Sequence, residues 1–358
     1  MKMEHPKVTL VFPCWHASKH LPHVLEDLQA QTFKDFEAIL VNDGDDSQIA
    51  VMEEIATKDR RIRIVRLPQN CGVAAARNAG TDTAISQWVT YPDPDDRLGP
   101  NYVKSLYDAV DGTDVEMACG GFTQYYVKTH NNCYNYISID HNFEIMDIAP
   151  AYELMTYASS HNIAWNKLYN ISIIRKFGLR QNTEFKNSED HEFNMRYFCL
   201  VKKVGIVRDC EYIYYYYDSD SNSKIYNPLY IQNFHEIVNL SERFHRQIGW
   251  SEQRIRTNRK TELAYAGLRF CYSLFYSQSP LTISAATKKI QAEFLNQPEI
   301  MNAISERDCG KDRLMYLFQQ LTHIGNARLL AISFKLLNLG KRNFGHLYAF
   351  LKPLFRGE

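Results

Sequence analysis

From Lys7 to about Val110 the chain alternates short apolar runs with amphipathic ones, and few folds are compatible with that alternation. Val8–Phe12, Phe36–Val41, Ile62–Arg66 and Trp88–Tyr91 have the length and character of strands. Between them, His20–Gln31 puts Leu21, Val24, Leu25 and Leu28 on one helical face, and Ile49–Lys58 and Gly72–Thr83 continue the alternation. The last of these is rich in alanine, so it can pack close to a sheet. Strands alternating with helices predict βα units on a mostly parallel sheet, an α/β class of fold.

The middle third is less regular. It mixes expected strands at Glu116–Phe122 and Tyr212–Tyr217 with helices around Ala149–Ser159 and Asp190–Leu200. From Pro228 onward, apolar residues recur at helical spacing, as in Ile231, Phe234 and Val238, then Leu263, Leu268, Cys271 and Phe275. A length of 358 residues suits two domains. We therefore expect a catalytic domain at 1–225, with halves at 1–112 and 113–225, followed by a helical region at 226–358.

Composition removes several classes of function. Lys plus Arg and Asp plus Glu are both 41, so no global field recruits nucleic acid. The eight cysteines contain no Cys-x-x-Cys pair, which argues against a zinc site or a disulfide framework and for reduced thiols in a cytoplasmic protein. No run of about 18 apolar residues predicts a membrane span. A Gly-x-Gly-x-x-Gly motif after the first strand is absent, which disfavours a dinucleotide oxidoreductase.

Polar residues gather where strands end, the place at which open α/β sheets bind ligands. Asp93-Pro94-Asp95-Asp96 crowds three carboxylates after the fourth strand. Mg²⁺ or Mn²⁺ held by one or two carboxylates together with a diphosphate would relieve their repulsion, while an acidic surface turn is the plainer alternative. Asn42-Asp43-Gly44 follows the second strand, where Asp43 can accept an N–H of a uracil-type base or simply form a turn. Arg77 is a lone cation in an apolar helix, suited either to bridging a carboxylate and a phosphate or to a structural ion pair.

Taken together, Val8–Trp15, Gln31-Thr32-Phe33-Lys34-Asp35-Phe36-Glu37, Asn42-Asp43-Gly44, Gly72–Gly80 and Asp93–Asp96 resemble an inverting family 2 glycosyltransferase of the GT-A fold. That fold is a Rossmann-like, mostly parallel sheet flanked by helices. The likeness continues through Trp165-Asn166-Lys167-Leu168-Tyr169, Asn187–Phe193 and Tyr214–Asn222, and so covers roughly 7–225. Bacterial cell-surface polysaccharide enzymes are the nearest in kind.

The resemblance implies that Pro13, Trp15, Asp43, Arg77 and Asp93 bind the nucleotide-sugar, and that Asp93 and Asp95 form an Asp-x-Asp motif holding Mn²⁺ or Mg²⁺. It implies Asp190 as the general base, with Trp165 and Glu189 on the acceptor side. The expected partners are a UDP-sugar donor and a glycan or lipid-linked acceptor. By the residues alone, Asp190 is equally a carboxylate at a helix N-terminus, with Asn187 or Ser188 starting the helix. Trp165, taken singly, is more often a core residue than a platform for a sugar ring.

The sequence also departs from the family pattern. Cys14-Trp15-His16 stands where smaller residues are common, Asn42 replaces a frequent Asp, and Pro94 stiffens the Asp-x-Asp turn. No Gln-x-x-Arg-Trp motif occurs, so transfer of one sugar per encounter is expected rather than processive synthesis.

From Lys311 to Glu358, eight Lys or Arg face two acids, a local excess of about +6 among many apolar residues. This pattern predicts that 327–358 lies on an anionic membrane, at the inner face of the plasma membrane. Packing on the domain or on a second copy in a homodimer is the competing expectation. A non-catalytic nucleotide-sugar-binding scaffold is the rival to the enzyme reading.

Overall fold

Strands covered by helices on both faces must be apolar almost throughout. β1 (Val8–Cys14) and β2 (Phe36–Asp43) are buried along their length except for half-exposed Pro13, and are apolar apart from Thr9, Glu37 and the polar end of β2 at Asn42 and Asp43. The computed structural model describes residues 6–217, 226–276, 280–310 and 312–343, with side chains of the last stretch as far as Leu339. The chain divides into two compact units, Met1–Tyr217 and Asp218–Glu358.

In the first unit the βα alternation runs as α1 (Leu21–Ala30) after β1, then α2 (Ile49–Lys58) after β2, β3 (Ile62–Leu67), α3 (Val73–Thr83) and β4 (Trp88–Thr90). After β5 (Arg97–Leu98) and α4 (Tyr102–Asp108), the elements are β6 (Met117–Gly120), β7 (Phe122–Tyr126), β8 (Asn131–Asn135), β9 (Phe143–Asp147), α5 (Ile148–Tyr157), β10 (Lys167–Asn170), α6 (Ile171–Lys176), α7 (Glu189–Phe198), β11 (Lys203–Val207) and β12 (Tyr212–Tyr216).

Eight strands form the main sheet in the order β3-β2-β1-β4-β10-β6-β11-β9. The first four are parallel, and β10 runs antiparallel to both its neighbours. A second sheet has the order β5-β12-β7-β8. The order of strands reverses between β1 and β4, which opens a crevice beyond their carboxyl ends. α3 packs unusually close to β1: a Cβ on Gly80 would lie 2.2 Å from Val11 Cγ1.

The segment expected as one strand over Glu116–Phe122 is two, β6 and β7, in different sheets. The chain turns at Gly121, whose N–H donates to Val207 O at 3.0 Å and whose carbonyl accepts from Cys210 N at 3.0 Å. The core beneath includes Leu10, Phe12, Leu40, Trp88, Tyr102, Trp165 and Tyr212.

The second unit is helical, as the spacing predicts: α8 (Tyr230–Gln247), α9 (Glu252–Ser273), α10 (Ile283–Lys289), α11 (Pro298–Ser305), α12 (Arg313–His323) and α13 (Ala327–Asn343). Its core includes a chain of touching phenylalanines, Phe270, Phe294, Phe318 and Phe334, with Leu263 and Met315 in the same cluster. Caps mark the helix starts: Ser251 Oγ accepts from Arg254 N at 3.2 Å and Asp312 Oδ1 from Met315 N at 3.0 Å. Among the described residues no helix is long and apolar enough to cross a membrane. Residues 344–358 of the basic segment and 218–222 of the Tyr214–Asn222 stretch lie outside the described residues.

Candidate active site

Three strand ends and one helix start meet the crevice. At the end of β1, Pro13 is half-buried, while Trp15 is 38% exposed with its ring 4.2 Å from that of His16. His16 adopts a left-handed φ of 52°. Asp45 holds it there, accepting from His16 N at 3.2 Å and pairing with His16 Nδ1 at 3.0 Å. Gln48 ties the exits of β1 and β2 together, donating to Cys14 O at 2.8 Å and Asn42 Oδ1 at 2.6 Å.

Asp43 is buried at the end of β2. Its two oxygens accept from Cys71 N at 2.7 Å and Gly72 N at 2.9 Å, at the start of α3. That fixes the loop before α3 and sets a negative charge where the helix dipole favours it. Gly44 beside it has φ 73°, and a Cβ there would fall 2.2 Å from the Gln69 backbone, so the turn admits only glycine.

The three acids after β4 have separate fates. Asp96 is buried and bound twice: Tyr212 Oη donates to Oδ2 at 2.6 Å and Tyr215 N to Oδ1 at 2.8 Å. Tyr212 Oη also accepts from Asp93 N at 3.1 Å, so one hydroxyl organises the whole turn. Asp93 pairs with Arg77, Nη2 to Oδ1 at 2.9 Å. Asp95 is exposed and pairs with no other residue among those described. Protein crowding thins the water around its carboxyl and Asp93 adds repulsion, which together push it up to about 6.

Asp95 therefore presents the unneutralised charge that a hard cation would compensate, with Asp93, shared with Arg77, beside it. Among the described residues no three His, Cys, Asp or Glu side chains converge as a closed metal site. The donor set fits an ion bound by one or two carboxylates whose remaining ligands come from water or from a diphosphate.

Arg77, on α3 and only 4% exposed, connects the acidic turn to a second acidic pair. Its Nη1 lies 3.5 Å from Glu189 Oε1, on the first turn of α7. Burial alone would lower the guanidinium's pKa, but Asp93, Glu189 and Asp190 outweigh it and keep Arg77 charged. Glu189 and Asp190 are both held above the ordinary carboxylate range, chiefly by burial, with Arg77 pulling the other way. Asp190 Oδ1 accepts from His191 N at 2.8 Å. Ser188 is the residue before the helix and has φ 69°, a left-handed conformation that turns the chain sharply into α7.

Beyond Arg77, buried Lys167 donates to Ser160 O, Ile163 O and Asn166 Oδ1, which shapes the loop leading into β10. Trp165 is in the core, 5% exposed, stacked on Tyr212 with ring centroids 4.1 Å apart and planes at 10°. Tyr214, half-buried, lies over the same indole at 5.7 Å and 15°. The indole thus supports Tyr214 and has little face of its own to offer a ligand.

Of the residues singled out in the sequence, Arg77, Asp93 and Glu189 are in direct contact, with Asp95 and Asp190 adjacent to them. Pro13, Trp15 and Asp43 line the ends of β1 and β2. Sequence reasoning missed Asp45, Gln48, Gln181 and Tyr212. Tyr212 and Gln181 act on residues more than 100 positions away, and nothing in their local sequence announces it.

Residues 9–178 match the model of Glycosyl transferase family 2. Glycosyltransferase GlyA of Streptococcus pneumoniae serotype 4 is 27% identical over 225 residues, covering 58% of this chain but 30% of the relative. Glycosyltransferase GlyG of the same organism is 27% identical over 214 residues, 58% of this chain and 70% of the relative. The crystal structure of S. aureus TarS 1-349 in complex with UDP superposes with a TM-score of 0.59 at 16% identity, over 92% of this chain and 91% of that one. At that identity the likeness is one of fold, the GT-A arrangement of a central sheet with flanking helices. Residues 9–178, a little under half of the chain, thus form a glycosyl transferase family 2 domain.

Proposed function

We propose that this chain is a metal-dependent inverting glycosyltransferase that moves a sugar from a nucleotide-sugar, a UDP-sugar in our reading, to a hydroxyl of a glycan or lipid-linked acceptor in surface polysaccharide synthesis. The observation that carries it is the Arg77 bridge, which joins Asp93 of the acidic turn to Glu189, the neighbour of Asp190, at the mouth of the β1/β4 crevice.

Trp15, Pro13 and Asp43 stand at the strand ends where a nucleobase would lie, and the TarS complex with UDP supports that choice of nucleotide. Asp93 and Asp95 would hold Mn²⁺ or Mg²⁺, which when bound offsets the charge developing on a leaving diphosphate. Asp190 takes the proton from the acceptor hydroxyl as that oxygen attacks the anomeric carbon from the face opposite the leaving group. Its raised pKa suits a base of this kind. One displacement inverts the anomeric centre. Glu189 and Tyr214, the latter backed by Trp165, would meet the acceptor.

The second unit supports attachment to an anionic membrane. On α13, Leu330, Ala331 and Phe334 are buried, while Leu329, Leu336 and Leu339 stand exposed beside the exposed Arg328. That location would put the enzyme at the inner face of the plasma membrane, where a lipid-linked acceptor is presented.

The donor reading is tested by the melting temperature of the full chain with UDP, GDP, CDP and dTDP, each with and without Mn²⁺. A Mn²⁺-dependent rise with UDP is expected. No rise with any nucleotide would favour the non-catalytic scaffold.

A further inference from the structure

Gln181 lies between α6 and α7, 2% exposed, and belongs to no motif of the sequence. Its backbone is clamped to α3 by a reciprocal pair: Gln181 N donates to Asn78 Oδ1 at 2.9 Å, and Asn78 Nδ2 donates to Gln181 O at 2.8 Å. Its side-chain Oε1 accepts from Arg77 Nη1 at 3.4 Å. Consecutive residues of α3 therefore hold this glutamine, one by its main chain and one by its side chain.

Arg77 Nη1 faces both Gln181 Oε1 and Glu189 Oε1, while Nη2 is given to Asp93. A guanidinium is a planar fork, so fixing one nitrogen fixes the direction of the others. The Nε of Arg77 and the Nε2 of Gln181 are buried with no hydrogen-bond partner among the described residues, so the fork's orientation comes from its two terminal nitrogens. A neutral acceptor suits this position, because it aims the cation without competing with Asp93 and Glu189 for its charge.

We propose that Gln181 is a positioning residue, which orients Arg77 so that one guanidinium holds Asp93 and Glu189 together. The proposal rests on the transferase reading above. Gln181 touches no reacting atom; it acts through Arg77, and its effect vanishes when Arg77 cannot bridge.

The test is a double-mutant cycle on the full chain with Gln181→Met, Arg77→Lys and the pair, following UDP release from UDP-N-acetylglucosamine and UDP-glucose with Mn²⁺. Gln181→Met keeps volume and removes the acceptor, and should lower kcat about tenfold with the donor KM within about twofold. Gln181→Glu, which keeps an oxygen at the same position but competes with Asp93 and Glu189 for the cation, should recover only part of that loss. In the Arg77→Lys background Gln181→Met should add nothing, since residues acting as one unit are non-additive.

Additive losses, or Gln181→Met at the wild-type rate, would overturn the inference. If the wild type turns over neither sugar nucleotide, the transferase reading loses that donor class. The melting temperatures of the same four proteins then decide the inference: coupling between the two sites supports it, and strict additivity ends it.

Discussion

Arg77 Nη2 donates to Asp93 Oδ1 at 2.9 Å across the gap between α3 and the turn after β4. The same guanidinium approaches Glu189, so a single buried cation stands between Asp93, assigned to the metal, and Glu189, which precedes the assigned base Asp190. Without it, Asp93, Glu189 and Asp190 would repel one another in a region poor in water.

Arg77→Met should therefore be far more harmful than Arg77→Lys. Removing the charge strands buried carboxylates, a change that typically costs about 3–5 kcal/mol. Lysine retains the charge but lacks the fork, so it can serve Asp93 or Glu189 and not both. We expect Arg77→Lys to fold, with activity lowered about a hundredfold. Urea denaturation and donor turnover check the two parts separately.

Tyr212→Phe tests the organisation of the acidic turn. The hydroxyl donates to Asp96 and accepts from Asp93 N, so its loss leaves a buried carboxylate oxygen and an amide without their partner. A cost of about 1–3 kcal/mol is expected in chemical denaturation. Mn²⁺-dependent nucleotide binding should weaken with it, because Asp93 and Asp95 ride on that turn.

Asp95 sets a pH dependence whose sign is opposite to that of an ordinary ion-paired acid. Its carboxyl is raised from 3.8 to about 6 in the folded chain, so the folded state holds the proton more tightly than the unfolded one. Its contribution to stability is full below the lower value and is lost as pH rises through about 6. Asp95→Asn should flatten the fall in melting temperature over that window and leave metal-free protein at neutral pH no less stable. The same variant should lose the Mn²⁺-dependent rise with UDP.

The parallel half of the first unit was legible because its physics is local. Val8–Phe12 and Phe36–Val41 are buried on both faces and read as apolar runs, and α2 falls on Ile49–Lys58 as its spacing predicts. β8, with the sequence Asn131-Asn132-Cys133-Tyr134-Asn135, is polar and mostly exposed, so no periodicity betrays it. β10 carries buried Lys167, whose charge is tolerated only because three acceptors from 160–166 surround it. The same distinction holds at the site: Asp93, Asp95, Asp190 and Arg77 stand in recognisable motifs, whereas Gln181 and Tyr212 matter through partners brought near by the fold.

The exposed apolar residues of α13 predict a measurable affinity for lipid. Full-length protein should co-sediment with vesicles containing phosphatidylglycerol and remain in solution with phosphatidylcholine alone. Leu329→Asp, Leu336→Asp and Leu339→Asp combined should abolish pelleting while leaving donor turnover in solution unchanged. Equal, negligible pelleting of the wild type on both vesicles would contradict membrane attachment and favour a protein partner, which the solution mass of the chain would reveal.

In the proposed mechanism Asp190 acts as base toward a donor held by other residues. Asp190→Asn separates the two roles, with Mn²⁺-dependent UDP binding and UDP-sugar turnover read on the same preparation. Binding within about threefold of wild type and turnover reduced at least about a thousandfold are expected. Turnover at the wild-type rate, with binding intact, would show that Asp190 is not the base.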